Sequence, residues 1–128
     1  NRNPDLPVGK LLARACPHLT SAEAAAYDAP YPGASFKGGV RRFPNLVPDH
    51  PDAPGAATSR EARAWFRNHW QGRSFIAIGM QDPVLGPLVM RHLAAQIRGC
   101  PAPFEVAEGG HFLQEWGEPV ARAALDQL

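Results

Sequence analysis

Phe75-Ile76-Ala77-Ile78-Gly79-Met80-Gln81-Asp82 and Glu108-Gly109-Gly110-His111-Phe112 are the stretches whose reading decides the fold. The first is a continuous apolar run from Ser74 to Met80, of strand length and without polar alternation, as expected of a strand buried on both faces. A Gly-containing turn and a carboxylate follow it. The second stretch follows another short predicted strand, Pro103–Ala107, and ends in an imidazole. Between them Gly86-Pro87 opens a helix reaching Arg98, with Pro87 suited to the first helical position. Val89, Met90, Leu93 and Ile97 fall on one face of that helix, and Gly99 ends it.

Strand, helix and strand make a βαβ unit, and Pro119 starts a last helix with Val120, Ala124 and Leu128 at helical spacing. Two neighbouring parallel strands with a right-handed crossover are therefore expected. A parallel sheet needs both faces covered and more strands beside it. The sheet read here is thus incomplete, and the chain is expected to be the C-terminal portion of a larger α/β protein. Its start at Asn1, without a methionine, points the same way.

Residues 1–72 have a different texture, that of small helices joined by proline-rich loops. Leu6–Cys16 is a short helical pattern stopped by Pro17. Thr20-Ser21-Ala22-Glu23 has capping-box spacing, a hydroxyl followed three residues later by Glu. The helix it opens cannot pass far beyond Asp28, because Pro30 disfavours helix in the residue before it. A brief helical stretch is expected over 35–42, then Phe43–Val47 and a loop from Pro48 to Ala57. Thr58-Ser59-Arg60-Glu61 reads as a second capping box, opening a helix through Trp70 with Gly72 at its C-terminal cap. The division expected is a helical region over 1–72 and a βαβα part over 73–128.

Composition narrows the function. In a chain of 128 residues with a formal net charge of +1, nothing suggests a nucleic-acid or anionic-membrane footprint. No run approaches the roughly 18 apolar residues of a membrane span. Two cysteines, Cys16 and Cys100, read as free thiols, which suits a cytoplasmic location. No metal-ligand spacing occurs, and neither Gly38-Gly39 nor Gly109-Gly110 completes a phosphate loop. No metal or other cofactor is expected. His18 and His50 sit in loops and read as solvated, whereas His69 and His92 fall in helices and read as partly buried.

Functional groups of open α/β sheets gather beyond the carboxyl ends of the strands. Asp82 and His111 both lie there, on adjacent strands, within reach of an Asp-to-Nδ1 hydrogen bond. The order acid, then histidine, is the tail of the nucleophile–acid–histidine order of α/β-hydrolases. The bland alternatives are that Asp82 only starts an Asx turn before Pro83 and that His111 is a loop histidine.

Several segments resemble the C-terminal part of the haloalkane dehalogenases, α/β-hydrolases with a helical cap. They are Leu19–Ala24, Ala26–Pro32, Gly39–Pro44, Ala77–Asp82, Leu85–Pro87 and Gly110–Glu115. The Asp82 and His111 segments would fit many α/β-hydrolases. Those around Tyr27 and Phe43 favour the dehalogenases. The resemblance implies an α/β-hydrolase portion carrying most of the cap and the last two strands. It implies hydrolytic carbon–halogen cleavage through an aspartyl ester, with His111 and Asp82 as the catalytic pair that activates water. Phe43, Pro44 and Val47 would line the substrate pocket from the cap, and Leu85 and Phe112 from the main domain; for Val47 and Leu85 ordinary core is an equal reading. The partners implied are a small haloalkane, water, the halide product and the N-terminal part of the same fold. That part would carry the nucleophilic Asp, the oxyanion-hole amides and two halide-binding tryptophans. Trp65, Trp70 and Trp116 do not match those positions, so the chain alone should not turn over. Alternatives are an epoxide hydrolase fragment, with Tyr27 and Tyr31 as candidate activators, or a non-catalytic α/β-hydrolase-like binding module.

Overall fold

The computed structural model describes residues 5–127. They fall into two compact units, one ending at Ala57 and the other starting at Thr58. In the first, α1 (Val8–Ala15) packs against α2 (Ser21–Ala26). The packing is close because of Gly9: a Cβ there would lie 2.2 Å from the Ala24 carbonyl oxygen. The Asp28 carboxylate accepts the Gly9 N–H at 3.1 Å, satisfying one of the open donors at the start of α1. Thr20 and Glu23 form the expected capping box. Its backbone N–H holds the Glu23 carboxyl below the usual range, with help from the Thr20 hydroxyl.

The stretch expected to be helical over 35–42 is a 3₁₀ turn, Ala34–Lys37, running into α3 (Gly38–Arg42). A further 3₁₀ turn spans Phe43–Leu46. Lys37 is buried, and its ammonium pairs with Asp5 at 2.6 Å. Leu6, Leu11, Tyr31, Phe36, Val40, Phe43 and Pro44 surround an open, largely apolar hollow of about 670 Å³.

α4 (Ala56–Asn68) begins two residues before the Thr58 expected to cap it. A turn over 50–55 containing Gly55, at φ 88°, delivers the chain into the helix upstream, so Thr58 lies inside it. Positive φ is what only glycine adopts freely. Most of α4 belongs to the second unit. Its Phe66 carbonyl accepts the Arg98 N–H at 3.1 Å. Trp65, Phe66 and Trp70 form an aromatic cluster with centroids 5.1–5.7 Å apart. Gly72 does not act as the expected left-handed cap. It is needed because a Cβ there would stand 2.4 Å from the Trp70 indole, which donates to the Ser74 hydroxyl at 2.8 Å.

The second unit centres on β1 (Ala77–Gly79) and β2 (Phe104–Val106), paired in parallel with Ile78 opposite Glu105. Both are shorter than the apolar runs that predict them. Ladder bonds run from Phe104 N–H to Ile76 O at 2.9 Å and from Met80 N–H to Val106 O at 3.0 Å. Ile78 is fully buried, whereas Phe104 and Val106 are only half-buried and Glu105 is exposed.

The crossover helix α5 (Pro87–Ala95) starts at Pro87, as read, and stops before Arg98; Gly99 follows at φ 70°. Its Arg91 pairs with Glu105 of β2 at 2.5 Å. Ala94 is buried; of the apolar face read from the spacing, Met90 and Ile97 are half-buried while Val89 and Leu93 remain exposed, so that face is only partly covered within the described residues. A 3₁₀ turn, Leu113–Trp116, leads into α6 (Gly117–Gln127), two residues ahead of the expected start at Pro119. Leu128 lies outside the described residues. His18 and His50 are exposed as expected; His69 and His92, expected to be partly buried, are exposed too.

Candidate active site

Beyond the ladder the two strands are still tied together. The Gln81 N–H donates to the Gly109 carbonyl at 2.8 Å, and the Gly109 N–H to the Val106 carbonyl at 3.0 Å. The Gln81 side-chain amide donates to the Ala107 carbonyl at 3.2 Å. Gly79 allows the loop after β2 to lie on β1: a Cβ there would meet the Gly110 oxygen at 2.5 Å. Turn and loop thus emerge side by side.

They bring Asp82 and His111 into contact. Nδ1 of His111 lies 3.0 Å from Oδ1 and 3.1 Å from Oδ2 of Asp82. A carboxylate only accepts, so Nδ1 carries the hydrogen, and in the neutral ring the lone pair is then on Nε2. The Asp82 side chain is 7% exposed and that of His111 37% exposed, which places an almost buried acid behind a base open to solvent. The Phe112 ring stands edge-on to the imidazole, centroids 5.3 Å apart.

Asp82 also forms the turn contemplated as its bland alternative. Oδ1 accepts the N–H of Val84 at 2.8 Å and of Leu85 at 3.0 Å. The two readings of this residue are therefore compatible. Burial pushes its carboxyl up, but the Val84 and Leu85 amides and then the His111 ring outweigh it and hold the carboxyl below the usual carboxylate value. The acid is charged wherever His111 could act as a base.

The other residues singled out in the sequence divide between the units. Phe43 and Pro44 border the apolar hollow of the first unit, and Val47 borders a smaller recess with Pro48 and His50. Leu85 is 47% exposed, beside the turn that holds Asp82, and Phe112 is half-buried against His111. Gln81 passes in the sequence for a spacer before Asp82; its polar side chain at a strand end was the available signal. No group of three or more His, Cys, Asp or Glu residues among the described ones could hold a metal ion. No helix among them is long and apolar enough to cross a membrane.

A parallel strand pair with a helical crossover and an acid–imidazole pair on its carboxyl rim is the arrangement of an α/β-hydrolase. Comparison with known proteins narrows the class. No family model matches the chain. It is 39% identical to a haloalkane dehalogenase of Mycobacterium marinum over 91% of its own length and 39% of that protein. It is 40% identical to one of Psychrobacter cryohalolentis over 81% of its length and 35% of that protein. Among solved structures, "The tetrameric structure of haloalkane dehalogenase DpaA from Paraglaciecola agarilytica NO2" matches with a TM-score of 0.89 and 43% identity, covering 96% of this chain and 42% of that one. The chain is haloalkane dehalogenase-like, and it spans about two fifths of the length of the relatives it matches.

Proposed function

We propose that this chain supplies the water-activating half of a haloalkane dehalogenase site. The observation that carries the reading is the contact of His111 Nδ1 with both Asp82 oxygens, at 3.0 and 3.1 Å, behind a solvent-open ring. In the reaction, a carboxylate elsewhere in the fold attacks the halogen-bearing carbon. The new C–O bond forms as the C–halogen pair leaves with the halide. Water then adds to the carbonyl carbon of the resulting ester while Nε2 of His111 takes its proton. Collapse of the adduct expels the alkoxide, which takes the proton from the imidazolium and leaves as the alcohol. The carboxyl left behind gives up the proton of the added water oxygen to solvent, which restores the carboxylate and balances the released halide. Splitting one difficult displacement into two steps lowers each barrier.

Asp82 serves this scheme through charge and geometry. Its carboxylate stabilises the imidazolium that forms and keeps Nδ1 protonated, so that Nε2 faces the water. It can do so without taking up the proton, since its own carboxyl is held below the usual value. Phe43, Pro44 and Val47 of the helical region, with Leu85 and Phe112 beside the pair, are the proposed apolar lining for a small haloalkane. The region over 1–72 is proposed as cap and that over 73–128 as main-domain part. The nucleophile and the halide cradle are assigned to the N-terminal part of the fold, so this chain by itself should release no halide.

The test is His111→Gln in the full-length protein. The variant should release one halide per active site in a burst and then stop, with the alkyl ester detectable by mass as an adduct. Continued turnover at a rate near wild type would refute the role given to His111. Halide release by the isolated chain would refute the division of labour.

A further inference from the structure

We infer that Gln81 is a positioning residue for His111, acting through the backbone of the loop that carries it. The inference rests on the Asp82–His111 reading. The parallel ladder ends at Gly79 and Val106, so strand pairing alone does not hold Asp82 and His111, which lie three and five residues further on. Gln81 sits in that gap and holds the loop twice. Its backbone N–H takes the Gly109 carbonyl at 2.8 Å, and its side-chain amide takes the Ala107 carbonyl at 3.2 Å.

The two carbonyls flank Glu108, and Gly110 and His111 come next in the chain. Two donors from one residue thus fix the segment at two points, just before it delivers the imidazole. The residue that follows Gln81 is Asp82 itself. Any rotation of the loop about the β2 end would change the Nδ1 contacts, which are shared almost equally between Oδ1 and Oδ2. Such a symmetric contact requires the ring to be held on the bisector of the carboxylate. The backbone bond alone constrains one point; the side-chain bond adds the second that stops the rotation. Catalytic groups depend on such outer contacts for their orientation. The Asp82 turn is separately held by the Val84 and Leu85 amides, so the loop bearing His111 is the part that needs the clamp.

The test uses the full-length protein with Gln81→Met, which keeps length and bulk and loses the donor, and Gln81→Lys, which restores a donor of similar reach. The Met variant should lower kcat for halide turnover about three- to tenfold, the range of one lost hydrogen bond, with little change in KM. In it the His111 Nδ1 proton should move upfield and exchange faster with solvent by NMR, and the lower limb of the kcat–pH profile should shift. The Lys variant should recover both the resonance and the rate. If Gln81→Met does not fold, Gln81→Glu removes the same donor at pH 7 and should show the same changes. An unchanged Nδ1 resonance and pH profile in a folded donor-less variant would overturn the inference, as would failure of Lys to recover them. The reading on which it rests is tested apart, by the His111→Gln trap: continued turnover there condemns that reading whatever Gln81 does.

Discussion

Gly79→Ala is the perturbation for which the structure supplies a magnitude. A Cβ at this position would lie 2.5 Å from the Gly110 oxygen and 2.8 Å from the Gly109 oxygen, where real Cβ contacts stay above 3.0 Å. Both opposing atoms are backbone, so no side-chain rotation relieves them. Relief requires the loop after β2 to back away from β1 by at least about 0.5 Å, and His111 is the next residue along. A displacement of about 1 Å at reacting groups costs on the order of 100-fold, so half of that should cost about tenfold in kcat. Substrate affinity should change little. Overpacking a buried strand should also destabilise by about 1–3 kcal/mol. Steady-state halide release and thermal unfolding of the full-length protein measure the two effects. Wild-type kcat and an unchanged melting temperature would mean that the loop does not rest on β1, and the geometric account of the pair would fail.

Asp82→Asn keeps an oxygen for the Val84 and Leu85 amides but removes the charge facing the imidazole; halide turnover should fall on the order of 10²–10⁴-fold with the fold intact and the first-step burst retained. The same carboxyl has a lowered pKa when folded, so its contribution to stability is full above the usual carboxylate value and is lost as pH falls through its folded value. Wild type should therefore lose stability to acid more steeply than Asp82→Asn, which denaturant titrations from pH 7 to pH 3 would show; parallel curves would contradict it. At the buried Lys37, Asp5→Ala should destabilise by about 1–2 kcal/mol, reduced from a fully buried pair because Asp5 is 64% exposed. Lys37→Met should cost less than Asp5→Ala, since it removes the charge rather than stranding it; urea unfolding giving the reverse order would refute this.

The features legible in the sequence are those set by near neighbours. The Thr20–Glu23 capping box reads correctly because hydroxyl, carboxylate and amides lie within one turn. Asp82 and His111 were legible because an apolar strand reports its own end, and parallel strands end on one rim. The Thr58 box has the same letters and fails, because the turn ending at Gly55 starts α4 earlier. Gly72 reads as a helix cap, yet its reason is an indole folded back over it, which no spacing rule describes. The strands are shorter than read because apolar runs mark burial, whereas a ladder also needs a paired neighbour, and pairing here runs only from Ala77 opposite Phe104 to Gly79 opposite Val106.

Asp82 and His111 are separated by only 29 positions. Their meeting therefore depends on a single crossover, with α5 and two three-residue strands as its parts. Closing a loop of that size costs about 3 kcal/mol beyond a constant, and each doubling would add only about 0.6. During folding, the acid and the base can find each other as soon as this crossover docks, without waiting for distant segments. Point changes within residues 77–111 should thus act on the pair directly. Changes elsewhere reach it through a contact with this segment, such as Phe112 against the imidazole, by way of the substrate, or by unfolding the unit.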